Sequence, residues 1–122
     1  MKVKAGKVVL AKYYDFEGNH INGLFLVLYA ENDDISTSNV KNHVVLKITT
    51  QLELSYAVKV NRAKNSFLEK DCCVSCSKVQ TFNDEQIFKE LGQLDEGTMK
   101  KVFKTFHKFH YELERQFLES SF

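Results

Sequence analysis

Apolar and polar residues alternate in short runs through the first two-thirds of the chain, which is typical of β-strands. Residues 7–13 and 24–30 are apolar and rich in β-branched and aromatic side chains. The segment between them, residues 14–23, holds two glycines and two asparagines. This pattern predicts a β-hairpin with a long tip, and the tip is the first candidate functional loop.

Three later segments have the same strand-like character, and we predict strands at residues 43–50, 56–60 and 72–80. Residues 31–42, between the second and third strands, are polar and predict a turn-rich connection. The first of the three later strands ends on two hydroxyl side chains, Thr49 and Thr50. Hydroxyls at a strand end either bond nearby backbone groups or hold a phosphate, and the sequence leaves both readings open.

Helical signals replace the strand pattern in the last third of the chain. Asn83, followed three residues later by Gln86, resembles a capping box. We therefore predict a short helix over residues 86–91 that stops at Gly92.

A long terminal helix is predicted from Asp95, with Glu96 in the first turn, where the helix dipole favours negative charge. Its apolar residues recur every three or four positions and form one stripe: Met99, Val102, Phe103, Phe106, Phe109, Leu113 and Phe117. Such a stripe is core or dimer interface, and its width favours a homodimer. Five or more strands before a terminal helix predict a mainly β fold, a small bent sheet or barrel covered by that helix.

Composition supports one soluble domain spanning residues 1–122. The chain is 43% hydrophobic and 27% charged, which argues against disorder. No apolar run approaches the roughly 20 residues needed to cross a bilayer, and the first residues contain no signal-peptide core. We expect a cytoplasmic protein without a membrane partner.

The net charge of +1 creates no overall field for nucleic acid, but lysines cluster locally. Two basic stretches stand out: Lys2, Lys4, Lys7 and Lys12, and then Lys100, Lys101, Lys104 and Lys108. Each is either a phosphate-binding surface or a solvated face.

Metal or cofactor chemistry is not expected. Cys72, Cys73 and Cys76 are an odd number in one segment, which suits reduced thiols better than disulfides. The Cys73–Cys76 spacing has no second cysteine pair, and strand alternation points the two side chains to opposite faces. His107 and His110 have the spacing to share a metal but lack an acidic companion on that turn.

Several segments of the sequence, taken in order, resemble the MazF/PemK family, the bacterial toxin ribonucleases of toxin–antitoxin pairs. They run from about residue 5 to 110: AGKVVLAKY, LFLVLYAEND, VVLKITTQ, FLEKDCCVSCSKVQTFND and LGQLDEGTMKKVF. The resemblance implies an SH3-like barrel of the MazF/CcdB type with a long C-terminal amphipathic helix. It also implies a homodimer with a groove between the subunits for single-stranded RNA.

The family's catalytic positions are only partly kept. A threonine or serine at the end of the third strand contacts the scissile phosphate in the family, and Thr49 matches it. An Arg-Pro pair normally follows the tip of the first hairpin, and its arginine stabilises the phosphorane. That place falls at Gly23 and Leu24, and the whole chain contains no proline.

Two further charged positions are also missing. Many relatives carry an acidic residue and an arginine in the later strand, where this chain has Ser77, Lys78, Val79 and Gln80. A rearranged site is one alternative, with His20 moving protons, Thr49 on the phosphate and Lys78 supplying charge. The other reading leaves His20 and Lys78 as exposed surface residues.

RNA binding can persist after acid–base groups are lost, because basic and aromatic side chains still attract single strands. The candidate contacts near the hairpin tip and the strand ends are Lys12, Tyr13, Tyr14, Phe16, Thr50, Gln51 and Gln80.

We therefore expect a catalytically degenerate MazF/PemK-like protein that binds single-stranded RNA or a protein partner. One rival is an active, metal-independent, sequence-specific endoribonuclease. The other is an interaction protein that captures an antitoxin-like peptide and has no nucleic-acid role.

Overall fold

A computed structural model describes residues 3–15, 17–30, 42–51 and 55–121. Six strands precede one helix: β1 (Lys7–Tyr14), β2 (His20–Ala30), β3 (Asn42–Thr49), β4 (Ala57–Val60), β5 (Cys72–Asn83), β6 (Ile87–Gln93) and α1 (Glu96–Ser121). The predicted strands correspond to β1 to β5, and the mainly β fold with a C-terminal helix is confirmed. The predicted connection over residues 31–42 lies outside the described residues, apart from residue 42.

The helix predicted over residues 86–91 is wrong, because residues 87–91 belong to β6 and Gln86 lies in the turn before it. The hydrogen bonds of the predicted capping box do form. The Gln86 N–H donates to Asn83 Oδ1 at 3.1 Å, and the Asn83 N–H donates to Gln86 Oε1 at 3.1 Å. They close the turn between β5 and β6 instead, since the Gln86 carbonyl accepts from the Lys12 N–H of β1 at 2.9 Å.

All six strands form one antiparallel sheet in the order β4-β5-β3-β2-β1-β6. Strands β4 and β6 are its two edges, so pairing among the described strands does not close the predicted barrel. A bulge interrupts β5: Leu46 lies opposite Val79, whereas the next residue, Lys47, lies opposite Ser75. Residues 76–78 of β5 therefore have no partner on β3. Before this bulge β5 pairs with both β3 and β4, and after it β5 pairs with β3 alone.

Each face of the sheet carries its own buried cluster. The first core lies under α1, which contributes Val102, and includes Leu26, Leu46 and Val74. The second core lies on the opposite face and consists of these buried residues: Val3, Val9, Ala11, Phe25, Val27, Val45, Phe82 and Ile87. Because side chains alternate along a strand, neighbouring residues of β3 belong to different faces. We call these the first face and the second face.

Helix α1 begins where the sequence predicts, because Asp95 caps it. Asp95 Oδ2 accepts the Thr98 N–H at 3.0 Å, and Asp95 Oδ1 accepts the Thr98 hydroxyl at 2.6 Å. These bonds, together with one from Asn65, lower the pKa of Asp95 to about 2.

The predicted stripe of α1 divides into two parts. Val102 is buried, and Met99 and Phe106 pack against the first core. Further along, Leu113 and Phe117 are 48% and 64% exposed. Within the part of the chain that the structure describes, no helix has the length and apolar character needed to span a membrane.

Candidate functional site

Thr49 lies at the end of β3 on the second face, two residues after Lys47 and four after buried Val45. Its hydroxyl accepts the Gln51 N–H at 3.2 Å. The threonine therefore closes a local turn, which is the backbone-bonding role that strand-end hydroxyls often have. A hydroxyl oxygen used as an acceptor still has its proton to donate, so Thr49 keeps one bond for an outside oxygen.

Lys47 supplies the positive charge on this face. Its Nζ donates to the Tyr13 hydroxyl at 2.8 Å. The same ammonium lies 4.8 Å from the centroid of the Tyr13 ring and 5.1 Å from that of Phe25. Cation–π contact and the hydrogen bond fix the lysine head beside the aromatic rings. Sequence reasoning missed Lys47, although a lysine two positions before Thr49 on an alternating strand was the available signal.

Gly23 lies on the same face of the sheet as Thr49. Phe25, which pairs with Lys47, belongs to the second face, and Gly23 shares that face because side chains alternate along β2. A Cβ at Gly23 would come within 2.9 Å of Tyr13 Cε1, so the tyrosine ring fills the space. Leu24 points to the first face, where it packs against the first core. Of the two positions matched to the family's Arg-Pro pair, only Gly23 shares a face with Thr49.

The chain has two arginines, and both are engaged elsewhere. Arg62 Nε donates to the Leu68 carbonyl at 3.0 Å, within the connection between β4 and β5. Arg115 lies on α1, with its guanidinium 3.3 Å from Glu112 and 3.6 Å from Glu119. Neither contact brings a guanidinium to Thr49.

The other predicted site residues are divided between the faces. Tyr13 lies on the second face with Thr49, and Gln80 joins that face by pairing with Val45. Lys78 is exposed in the β5 bulge. His20 pairs with Tyr14 at the hairpin tip, with ring centroids 4.2 Å apart.

His20 is separated from Thr49 by both direction and distance. Tyr14 alternates with Tyr13 on β1, so Tyr14 and its partner His20 belong to the first face. His20 is also three residues beyond Gly23, which is roughly 10 Å along β2 at the usual rise per residue. Tyr13, Thr49 and Gln80 share the second face, whereas His20 belongs to the first.

A cleft of about 300 Å³ opens on the first face, and one of the predicted RNA contacts, Thr50, lies in its wall. Its lining includes Thr50 and Leu24, with Lys70, Lys89 and Glu69 as its charged members. Sequence reasoning missed these three charged residues. Thr49 and Thr50 thus point to different sites, because adjacent residues of an extended strand face opposite ways.

The remaining predicted contacts are peripheral. Lys12 Nζ lies 5.6 Å from the ring centroid of Phe88 at the edge of β6. Gln51 is exposed after the end of β3. Phe16 and Lys2 lie outside the described residues.

All three cysteines are free and buried. Burial raises the pKa of the Cys76 thiol to about 11, and burial, with smaller effects from Cys73 and Asp71, raises that of Cys72 to about 11. Burial also raises the pKa of Cys73, against the opposing charge of Lys59. Protonated, buried thiols are poor nucleophiles and poor ligands. Among the described residues, no three His, Cys, Asp or Glu side chains are grouped as a metal site would require.

A family model described as PemK-like, MazF-like toxin of type II toxin-antitoxin system matches residues 4–110. No curated protein matches the sequence. One similar solved structure is an endoribonuclease in complex with its cognate antitoxin from Mycobacterial species. It is 16% identical, with 88% of this chain and 93% of that chain covered and a TM-score of 0.64.

Two further structures agree in fold. The Mycobacterium tuberculosis toxin MazF-mt6 is 18% identical, with 84% of this chain and 93% of that chain covered and a TM-score of 0.63. A MazE-MazF structure (Form-III) from Deinococcus radiodurans is 11% identical, with 88% and 94% covered and a TM-score of 0.68. At these identities the likeness concerns the fold alone.

Proposed function

This chain belongs to the family of PemK-like, MazF-like toxins of type II toxin–antitoxin systems, and from that premise we propose that it binds single-stranded RNA without cleaving it efficiently. The binding surface is the second face around Lys47, Tyr13 and Thr49. The observation that carries the proposal is the absence of an arginine there: Gly23 and Leu24 stand where the family carries its Arg-Pro pair, and the chain's two arginines are bonded elsewhere.

Cleavage through the 2′-hydroxyl needs a base, an acid for the leaving oxygen and positive charge for the pentavalent phosphorane. Removing one preorganised electrostatic group commonly costs about 10²–10³ in rate. Lys47 offers a point charge in place of the forked guanidinium, and its Nζ is already bonded to Tyr13. His20, the proton-transfer candidate, belongs to the other face.

Binding has less demanding requirements, which this face meets. Lys47 on this face provides positive charge for the phosphates, and Lys78 is exposed in the β5 bulge. Tyr13 is partly exposed and presents an aromatic surface on which a base can stack. Thr49 and Gln80 add polar groups on the same face.

A combined binding and cleavage assay tests the proposal. Nuclease-free protein is mixed with a long RNA without added metal, and complexes and fragments are followed on native and denaturing gels. We expect a salt-sensitive shift without fragments. Lys47→Met should weaken binding about fivefold at 0.1 M salt, the value for one lost phosphate contact. Lys7→Met is the matched control, because Lys7 is already paired with Glu90 at 3.1 Å.

Each rival gives a different result in this assay. Efficient cutting that His20→Ala or Thr49→Val abolishes would establish an active endoribonuclease and overturn the proposal. The absence of any RNA complex at low salt would leave an interaction protein with no nucleic-acid role.

The proposal includes a homodimer that also accepts an antitoxin-like peptide. Leu113, Phe117 and Leu118 are between 45% and 64% exposed on the second half of α1, more apolar surface than a solvated helix end needs. Similar folds are found in a MazE-MazF structure and in an endoribonuclease with its cognate antitoxin. Light scattering after size-exclusion chromatography tests the dimer.

A further inference from the structure

A second basic feature lies away from Lys47, where the edge strand β4 meets α1. It is an open cleft of about 310 Å³. Its lining contains three lysines, one threonine and no carboxylate: Ala57, Val58, Lys59, Lys101, Lys104 and Thr105. Three positive charges around one cleft with no lining acid form a local anion-attracting surface on a chain of net charge only +1.

The helix side of this cleft follows from residue spacing. Lys101, Lys104 and Thr105 are three and four residues apart, so they share one face of α1. Their neighbour Lys100 is instead paired with Glu96 at 3.2 Å. In the described ranges of the chain, neither Lys101 nor Lys104 forms an ion pair, so their charge is available to an outside anion.

The strand side connects the cleft to Thr49. Thr49 pairs with Cys73 on β5, and Cys73 pairs with Lys59 on β4. Residues paired across antiparallel strands point to the same face, so the three form one row across the sheet. Two strand spacings separate its ends, roughly 10 Å. Lys59 thus lies both in the row of Thr49 and in the lining of the cleft.

We propose that this cleft binds backbone phosphates of single-stranded RNA and continues the RNA path from Thr49 on the second face, past Lys59 and around the edge strand β4, to α1 on the first face. The inference rests on the proposed function and extends its binding surface to Lys59, Lys101 and Lys104. A lysine cluster with a threonine hydroxyl suits phosphate oxygens. As an edge strand, β4 also presents outward backbone groups at the cleft.

Salt dependence of RNA affinity measures the number of phosphate contacts and so tests this path. Affinity of the full chain for a fluorescent single-stranded oligonucleotide is measured by anisotropy across a salt series. Lys101→Ala/Lys104→Ala should reduce the slope of log K against log salt by about 1.4, and affinity at 0.1 M salt by roughly 25-fold. Alanine is the best helix former, so α1 should persist, which circular dichroism verifies.

The matched control is Lys7→Ala/Lys100→Ala, which removes the same two charges from residues already paired with acids. We expect a nearly wild-type slope for this control. Lys59→Met is an independent variant on the strand side and should lower the slope by about 0.7.

Equal slopes for the two double variants would overturn the inference and leave RNA binding at Lys47 intact. A wild-type protein that binds no RNA would overturn the proposed function, and the path with it. A reduced slope for the cleft variants alone supports the path.

Discussion

Acidification should destabilise the folded protein through a buried histidine, His43. Its side chain is fully buried. Nε2 accepts the Val3 N–H at 3.1 Å, so the neutral ring carries its proton on Nδ1, which lies 3.3 Å from Asp84 Oδ1. A second proton on Nε2 would break the bond to Val3. Burial lowers the pKa of His43 below 6.5, although the Asp84 charge acts in the opposite direction.

The sign follows from proton binding in the two states. The unfolded chain binds a proton near pH 6.5 and the folded chain only at lower pH, so stability falls as pH drops through 6.5. The loss continues until the folded histidine is itself protonated. If the folded ring stays neutral, the free energy of unfolding decreases by about 1.4 kcal/mol between neutral pH and about pH 5.5. The limiting slope is about 1.4 kcal/mol per pH unit for one proton.

Urea unfolding at a series of pH values between about 7.5 and 5 measures this loss. His43→Gln keeps an amide oxygen that can accept from Val3 but cannot titrate, so its profile should be flatter than that of the wild type. Val45→Ala is the control: it removes buried volume from the same face of β3 and should lower stability equally at every pH. A His43→Gln profile as steep as the wild type would refute the assignment.

Three further predictions concern other parts of the fold. Asp95→Ala should cost about 1 kcal/mol in urea unfolding by removing the α1 cap, and in the wild type this stabilisation should fade as pH drops from 3.8 towards about 2. Gly92→Ala should lower the melting temperature, because its Cβ would meet the Phe67 ring at 2.4 Å, whereas Gly97→Ala in the first turn of α1 should not. Phe117→Glu should convert a dimer to a monomer in light scattering; a dimer that persists would place the interface elsewhere.

Local signals in the sequence were sufficient where local bonds determine the structure. Asp95 caps α1 through bonds to a residue three positions away, so the start of the helix could be read directly. The bonds between Asn83 and Gln86 also join residues three positions apart, but such a reciprocal pair can close a turn as well as begin a helix. The pairing of Gln86 with Lys12, 74 residues away, selects the turn, and no local pattern contains that information.

The candidate site shows the same limit. Thr49 could be identified from its place at a strand end, but the bond from Lys47 to Tyr13 joins residues 34 positions apart. Likewise, His43 resembles an ordinary polar strand residue until the segment at Val3 covers it. That Thr49 and Thr50 point to opposite faces follows from the alternation of side chains along a strand, so it could have been predicted from the sequence.

The three extra residues of β5 limit which insertions and deletions this strand can accept. Residues after the bulge include Phe82 on one side and Val79 on the other. Deleting or inserting a single residue at 76–78 would invert that alternation, so that Phe82 would turn towards solvent and its polar neighbour Thr81 inward. A protein that gains or loses one residue there should therefore misfold, whereas a change of two residues would leave each later side chain of β5 on its present face.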